Sequence, residues 1–194
     1  MTLLRAYLLT GMVAHKVVWE VLKRHAERGP RQPFRLIKAV KVAVLAALLL
    51  QSFLPEILPI APDPFPLQVA GVCLFTLGLA VAVAARIQLG HNWSDVESAT
   101  VLPQQELVAR GLYRYVRHPI YLGDILLVAG YELALNSWGV LLVLPLIAFV
   151  WRKAAQEEAL LSTSLPGYQA YLQSSGRFLP PLFTMPKRRT ANRP

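Results

Sequence analysis

The sequence is poor in the residues that build disulfides and metal centres. It has a single cysteine, Cys73, among 194 residues, which excludes an intrachain disulfide. Its histidines show neither an HxxxH spacing nor a CxxC partner, so the sequence predicts no metal site. These histidines are His15, His25, His91 and His118.

Charged residues are also scarce, at 16% of the chain, whereas 55% of the residues are hydrophobic and the mean hydropathy is +0.42. An ordinary soluble domain has roughly 25% charged and about 45–50% apolar residues. The composition therefore indicates a membrane protein. The net charge of +9 is also compatible with nucleic-acid binding, so the placement of the basic residues must decide.

Long apolar stretches are present, and a membrane-spanning helix needs about 20 mostly apolar residues. No small-residue cleavage site follows the first stretch, which we interpret as a retained span and not a signal peptide. The last two stretches predict a helical hairpin, whose second arm continues as a polar cytosolic helix. We predict an all-α polytopic membrane protein with about five transmembrane helices. The spans are residues 2–19, 39–60, 67–89, 119–135 and 138–151.

Lysine and arginine are absent from two of the predicted loops, residues 55–66 and 136–139. They are frequent in the other loops and in the tail after Trp151. The positive-inside rule therefore places the N-terminus outside and the C-terminus in the cytoplasm. This placement accounts for the positive charge without nucleic acid, and we expect the basic tail 184–194 to meet anionic lipid or water.

The stretch GLYRYVRHPIYLGD joins a basic, aromatic segment to an apolar one. Gly111 permits a sharp turn, and Pro119 suits the first turn of the following helix. A helix N-terminus offers free N–H groups and a partial positive charge to an anion. Because Arg117 and His118 add donors at the same place, the sequence predicts an anion site where the fourth span begins.

Two neighbouring glutamates, Glu157 and Glu158, lie in the polar helix that follows the fifth span. Neighbours point about 100° apart on a helix, so one carboxylate can face a pocket while the other faces water. A cation site here and an anion site at the fourth span suit a zwitterionic ligand. The alternative is that the basic and aromatic residues are only interfacial anchors and the glutamates only a solvated helix face.

Asp124 and Glu132 are acidic residues within a predicted span, where they are costly and point to function by default. Asp124 falls about one turn into the span, where it could face the cytoplasmic pocket. Glu132 lies near the outer end, where contact with water is an equally good explanation.

The stretches LGHNWS, ELVARGLYRYVRHPIYLG and EEALLSTSLPGYQAYLQSSGRFLP together resemble the isoprenylcysteine carboxyl methyltransferase family. This family belongs to a wider group of integral-membrane methyltransferases that includes phospholipid methyltransferases. The likeness spans residues 89–180, about half of the chain. The combination of LV-x-x-G-x-Y, R-H-P-x-Y and a downstream E-E before Y-x-x-Y makes it specific.

The resemblance implies an S-adenosylmethionine-dependent enzyme, with O-methylation the foremost expectation, acting on a lipophilic or lipid-anchored acceptor. The family's substrate-handling arginine aligns with Lys153, next to Arg152, and these two are the candidate catalytic residues. Lysine does not replace the bidentate fork of arginine, which weakens the case for a prenylcysteine-like carboxylate substrate. The implied cofactor-binding residues are Gln105, Glu106, Leu107, Val108, Tyr113, His118, Pro119, Ile120, Tyr121 and Glu157, or Glu158 after a one-residue slip.

We accordingly divide the chain into three parts. Residues 1–89 are a three-span membrane region, residues 90–183 a cofactor-binding methyltransferase region, and residues 184–194 a basic tail. The economical chain favours a bacterial inner membrane over an endoplasmic reticulum. Two alternatives are an NADPH-dependent enzyme resembling sterol reductases, which share RHPIYLGD-like sequence, and a non-enzymatic membrane accessory protein of the same fold.

Overall fold

The computed structural model describes residues 2–24, 36–54, 59–92 and 105–181, and their regular structure is helical. The predicted all-α class is confirmed for these residues, in which the β-type pairs are isolated bridges. Most of the basic first loop and the tail 184–194 lie outside them. The α-helices are α1 (Leu3–Arg24), α2 (Leu36–Gln51), α3 (Phe65–Leu89), α4 (Pro119–Ala134), α5 (Val143–Ser164) and α6 (Tyr168–Ser174).

Two helical stretches among the described residues are long and apolar enough to cross a membrane, Phe65–Asn92 and Trp138–Ser164. A shorter apolar helix covers Val42–Gln51. Helices α1 and α4 also coincide largely with predicted spans, but the count of about five spans stays a prediction. As predicted, the helix after the hairpin turn continues past Trp151, to Ser164.

Helices α3 and α4 pack antiparallel through glycines that have no room for a side chain. A Cβ atom added to Gly78 would lie 2.7 Å from the carbonyl oxygen of Gly123, and one added to Gly130 would lie 2.6 Å from that of Gly71. Small residues at such positions let two helix backbones approach closely. The contact fixes α4 along α3 and so sets the position of the α4 N-terminus.

A polar network joins the helices at the end of the bundle far from that N-terminus. Glu132 is only 3% exposed and accepts a hydrogen bond from Gln51 at 3.2 Å, so packing and not water surrounds its carboxylate. Asn136, which has a left-handed φ of 53°, exchanges two hydrogen bonds with the backbone of Ala61. These bonds tie the hairpin turn at 136–139 to the segment before α3.

Candidate functional site

The N-terminus of α4 is held by backbone pairing with a segment near the end of the described chain. Arg117 and His118 donate their N–H groups to the carbonyls of Gly176 and Arg177, at 2.8 and 3.1 Å, and Gly176 donates to Tyr115 at 3.0 Å. Pro119 is the first residue of α4, as its fixed φ predicts. This backbone pairing therefore fixes the position of the α4 N-terminus.

A second support comes from the end of α3. Gly111 has the predicted turn conformation, with φ +58°, and the next residue, Leu112, donates its N–H to the Gln88 side chain at 2.8 Å. The Asn92 side chain accepts the backbone N–H of Glu106 at 2.7 Å. The predicted stretch Gln105 to Val108 is thus anchored to the α3 C-terminus, with Glu106 exposed and the other three residues partly buried.

The Glu158 carboxylate is fully occupied by cationic and donor side chains. It is 6% exposed and receives Arg117 Nε at 2.8 Å, His118 Nε2 at 3.2 Å and Arg177 Nη2 at 2.6 Å. Arg117 also donates to the Ser175 carbonyl. A buried carboxylate needs such partners, because burial of an unpaired charge is costly. Glu158 therefore binds the α4 N-terminus to α5 and to the segment after α6.

Glu157 is the carboxylate with capacity left for a ligand. Its Oε1 accepts the Tyr121 hydroxyl at 2.5 Å, and its Oε2 lies 3.7 Å from His118 Nδ1. The Glu157 side chain is 33% exposed, against 8% for Glu158. The His118 ring stacks on Tyr121, with centroids 5.5 Å apart. Its two nitrogens face the two carboxylates, so the ring lies between Glu157 and Glu158.

Tyr113 is 6% exposed, and its carbonyl accepts the Tyr171 hydroxyl at 2.6 Å. Burial raises the pKa of Tyr171 to about 12. Burial is also the main cause of the raised pKa of Tyr113, and the charge of Glu157 acts in the same direction. Both phenols therefore stay neutral at physiological pH.

The structure thus brings Tyr113, His118, Tyr121, Glu157 and Glu158 together at one end of α4. Pro119 is buried, and Ile120 is partly buried beside it. Their roles in binding stay predictions.

The two candidate catalytic residues differ in placement. Lys153 is partly buried and lies one turn before Glu157, on the same side of α5. Arg152 is exposed.

Sequence reasoning missed Arg177 and Tyr171 as individual contributors, although both lie in a stretch that carries the resemblance. It also gave Arg86 no individual role. Arg86 is 1% exposed and donates from Nη1 to the Gly90 carbonyl at 3.0 Å. Asp124 contacts His15 of α1, with 3.3 Å between Oδ1 and Nε2. No local pattern links such distant pairs.

The donor set fits a zwitterionic ligand with a cationic centre. The N–H groups of Ile120 and Tyr121 have no intrahelical acceptor, because they lie in the first turn of α4. Glu157 offers negative charge and Tyr121 an aromatic face. Among the described residues, no group of three or more His, Cys, Asp or Glu side chains is arranged so that it could hold a metal ion.

Comparison with known proteins first shows the fold. The solved structure of the eukaryotic intramembrane Ras methyltransferase ICMT (isoprenylcysteine carboxyl methyltransferase) matches with a TM-score of 0.58 and 21% identity, over 76% of this chain and 54% of that one. The protein-S-isoprenylcysteine O-methyltransferase of Schizosaccharomyces pombe is 27% identical over 107 residues, which are 54% of this chain and 45% of the relative. The chain therefore spans about half the length of the relatives it matches.

The family is shown by a match to a family model. The model of the phospholipid methyltransferase family (PEMT) matches residues 67–165, about half of the chain. The chain belongs to this family. The resemblance inferred from the motifs is confirmed, and the sterol-reductase-like alternative is not favoured.

Proposed function

We propose that the protein is an integral-membrane methyltransferase that uses S-adenosylmethionine to methylate a lipophilic or lipid-anchored acceptor. The observation that carries the proposal is the division of labour between the adjacent glutamates of α5. Glu158 is satisfied by Arg117, His118 and Arg177, whereas Glu157 stays partly exposed beside Tyr121. Glu158 holds the surrounding segments together, and Glu157 stays available to bind the cofactor.

The chain's own residues would hold the cofactor in three places. The N–H groups at the start of α4 would take its carboxylate, as helix N-termini take anions. Glu157 would take its ammonium group or face its sulfonium, and Tyr113 and Tyr121 would offer aromatic surface to cationic or planar groups. The predicted stretch Gln105 to Val108 would contribute further contacts.

When bound, S-adenosylmethionine supplies a methyl group activated by a positively charged sulfur. The protein must then align the acceptor with that carbon and exclude water. Buried Tyr113 and the satisfied Glu158 network give the site fixed walls. Lys153, one turn before Glu157, is the residue that we propose for handling the acceptor, with Arg152 less well placed because it is exposed.

We further propose that this site faces the cytoplasm of a bacterial inner membrane. The distribution of lysine and arginine along the sequence supports this orientation. The acceptor would then reach the site from the lipid, while the soluble cofactor arrives from the cytoplasm.

The test begins with calorimetric titration of the purified full chain with S-adenosylmethionine and, separately, NADPH. We expect saturable binding of S-adenosylmethionine alone, and binding of NADPH alone would overturn the proposal. Membranes that contain the protein are then incubated with methyl-labelled S-adenosylmethionine and their lipids are extracted. We expect label in the extract, and none with a His118→Ala variant. Glu20→Gln, an exposed change on α1, is the matched control.

A further inference from the structure

A second ionisable pair lies between α1 and α4. His15 Nε2 is 3.3 Å from Asp124 Oδ1, and the two side chains are 20% and 38% exposed. The His15 ring stacks on Trp19, with centroids 4.3 Å apart. In the part of the chain that the structure describes, neither ring nitrogen of His15 makes a hydrogen bond, the buried Nε2 atom lies in ion-pair contact with Asp124, and Asp124 forms no other ion pair.

The pair lies within helices whose other residues are largely apolar. Ionisable side chains in such surroundings are costly, and one with a specific partner marks a functional site by default. A pair needed only to join α1 to α4 would be replaceable by apolar packing, often without loss of stability.

The pair is also next to the proposed cofactor site. Tyr121, whose hydroxyl is bonded to Glu157, and Asp124 are three positions apart, which places them on the same face of α4. The helical rise sets Asp124 about 4.5 Å further along the axis, away from the α4 N-terminus. If the cofactor binds at that N-terminus, His15 and Asp124 lie on the side from which a membrane-dissolved acceptor approaches.

We infer that His15 and Asp124 form a proton-accepting pair that selects a neutral, hydroxyl-bearing lipophilic acceptor. The inference rests on the methyltransferase function proposed above and names the acceptor class for the same site.

Asp124 carries a negative charge beside the place where we put the acceptor. Two negative charges at close range repel each other, so an anionic acceptor carboxylate is disfavoured beside Asp124. A neutral hydroxyl has no such penalty, and it can hydrogen-bond to His15. Asp124 acts here as a positioning residue, because its negative charge, 3.3 Å from His15 Nε2, favours the proton on that nitrogen and leaves Nδ1 free to accept another.

The proton balance requires such a group. When a hydroxyl is methylated, a lone pair of its oxygen forms the bond to the methyl carbon. The carbon–sulfur bond of the sulfonium breaks, and its electron pair stays on sulfur, which becomes a neutral thioether. The hydroxyl proton passes to His15 Nδ1, and the imidazolium is stabilised by Asp124. A carboxylate acceptor would release no proton and would need no such pair.

The experiment compares two probes with alkyl chains of similar length, para-dodecylphenol and dodecanoic acid, with labelled S-adenosylmethionine and the protein. We expect the wild type to methylate the phenol and to leave the acid largely unmodified. His15→Gln should lower kcat for the phenol by about 100-fold or more, the range of a lost general base, without weakening S-adenosylmethionine binding. Lys16→Gln, an exposed neighbour on α1, is the control and should behave as the wild type.

Asp124→Asn distinguishes a role in acceptor selection from a merely structural role, because a structural pair would not affect the ratio of the rates with the two probes. Removal of the negative charge should raise the rate with dodecanoic acid relative to the phenol, because the repulsion is gone. This ratio is an internal comparison within one protein sample, so partial loss of folded protein does not change it.

The outcomes separate this inference from the proposed function. No binding of S-adenosylmethionine by the wild type refutes the proposed function itself. Binding together with a preference for the acid, or with methylation of neither probe, overturns the acceptor class alone. An unchanged phenol rate in His15→Gln, or an unchanged ratio in Asp124→Asn, overturns the role of the pair.

Discussion

Replacement of the two adjacent glutamates of α5, one at a time, tests the division of labour on which the proposed site depends. Both changes, Glu157→Gln and Glu158→Gln, preserve size and remove one negative charge. They lie next to each other on one helix, so each is the matched control of the other. We expect one to damage binding and the other to damage stability.

Glu158→Gln should mainly lower the free energy of unfolding. The carboxylate is 6% exposed and has three partners within 3.2 Å, from Arg117, His118 and Arg177. Removal of one member of a buried ion pair costs about 3–5 kcal/mol. Because Arg177 is 25% exposed, we take the lower end, about 3 kcal/mol. For a chain of this size that corresponds to a fall in Tm of about 6–12 °C.

Glu157→Gln should mainly weaken cofactor binding. The amide oxygen of the new side chain can still accept the Tyr121 hydroxyl, and the native side chain is already 33% exposed, so the loss of stability should be small. A hydrogen bond to a charged group contributes about 1.5–3 kcal/mol. The Kd for S-adenosylmethionine should therefore rise by about 10- to 100-fold.

The assays are thermal unfolding in detergent and calorimetric titration of each purified variant with S-adenosylmethionine. The reasoning is refuted if Glu157→Gln binds like the wild type while Glu158→Gln keeps its melting temperature and loses affinity. That result would mean that Glu158 is the ligand and that its ion pairs contribute little to stability.

Further predictions concern the supports of the site. Gly78→Leu should prevent close packing of α3 on α4, so that no folded protein is recovered in detergent. The control Leu77→Ala, at an exposed position, should fold like the wild type. Recovery of folded Gly78→Leu would refute the packing argument. Tyr171→Phe leaves the Tyr113 carbonyl without its donor and should cost about 1–3 kcal/mol of unfolding free energy, measured by thermal unfolding. Asn136→Ala removes two hydrogen bonds at the far end of the bundle and should lower Tm without changing the Kd for S-adenosylmethionine.

Much of the fold could be predicted because its signals are local. Apolar stretches gave the approximate positions of the helices, and the two turn residues Gly111 and Pro119 adopt the conformations that their chemistry favours. The close contact of α3 and α4 was not predicted. Gly71 and Gly78 look like ordinary residues of an apolar helix until a second backbone is placed against them.

The site could be predicted only in part. Its motif residues were named from the resemblance, and the structure brings several of them together. The choice between Glu157 and Glu158 was left open, because adjacent positions on a helix differ only in direction. That choice depends on Arg117, which lies 41 positions from Glu158, and on Arg177, which lies 19 positions from it.

The sequence by itself determined the helical class, the membrane-like composition and the family, since each depends on residue types and on spacings along the chain. Only the tertiary structure decided which carboxylate is satisfied and which is left partly exposed, and that His15 meets Asp124. The physical reason is that the energy of a buried charge is set by the partners around it in space. Those partners come from segments far apart in sequence.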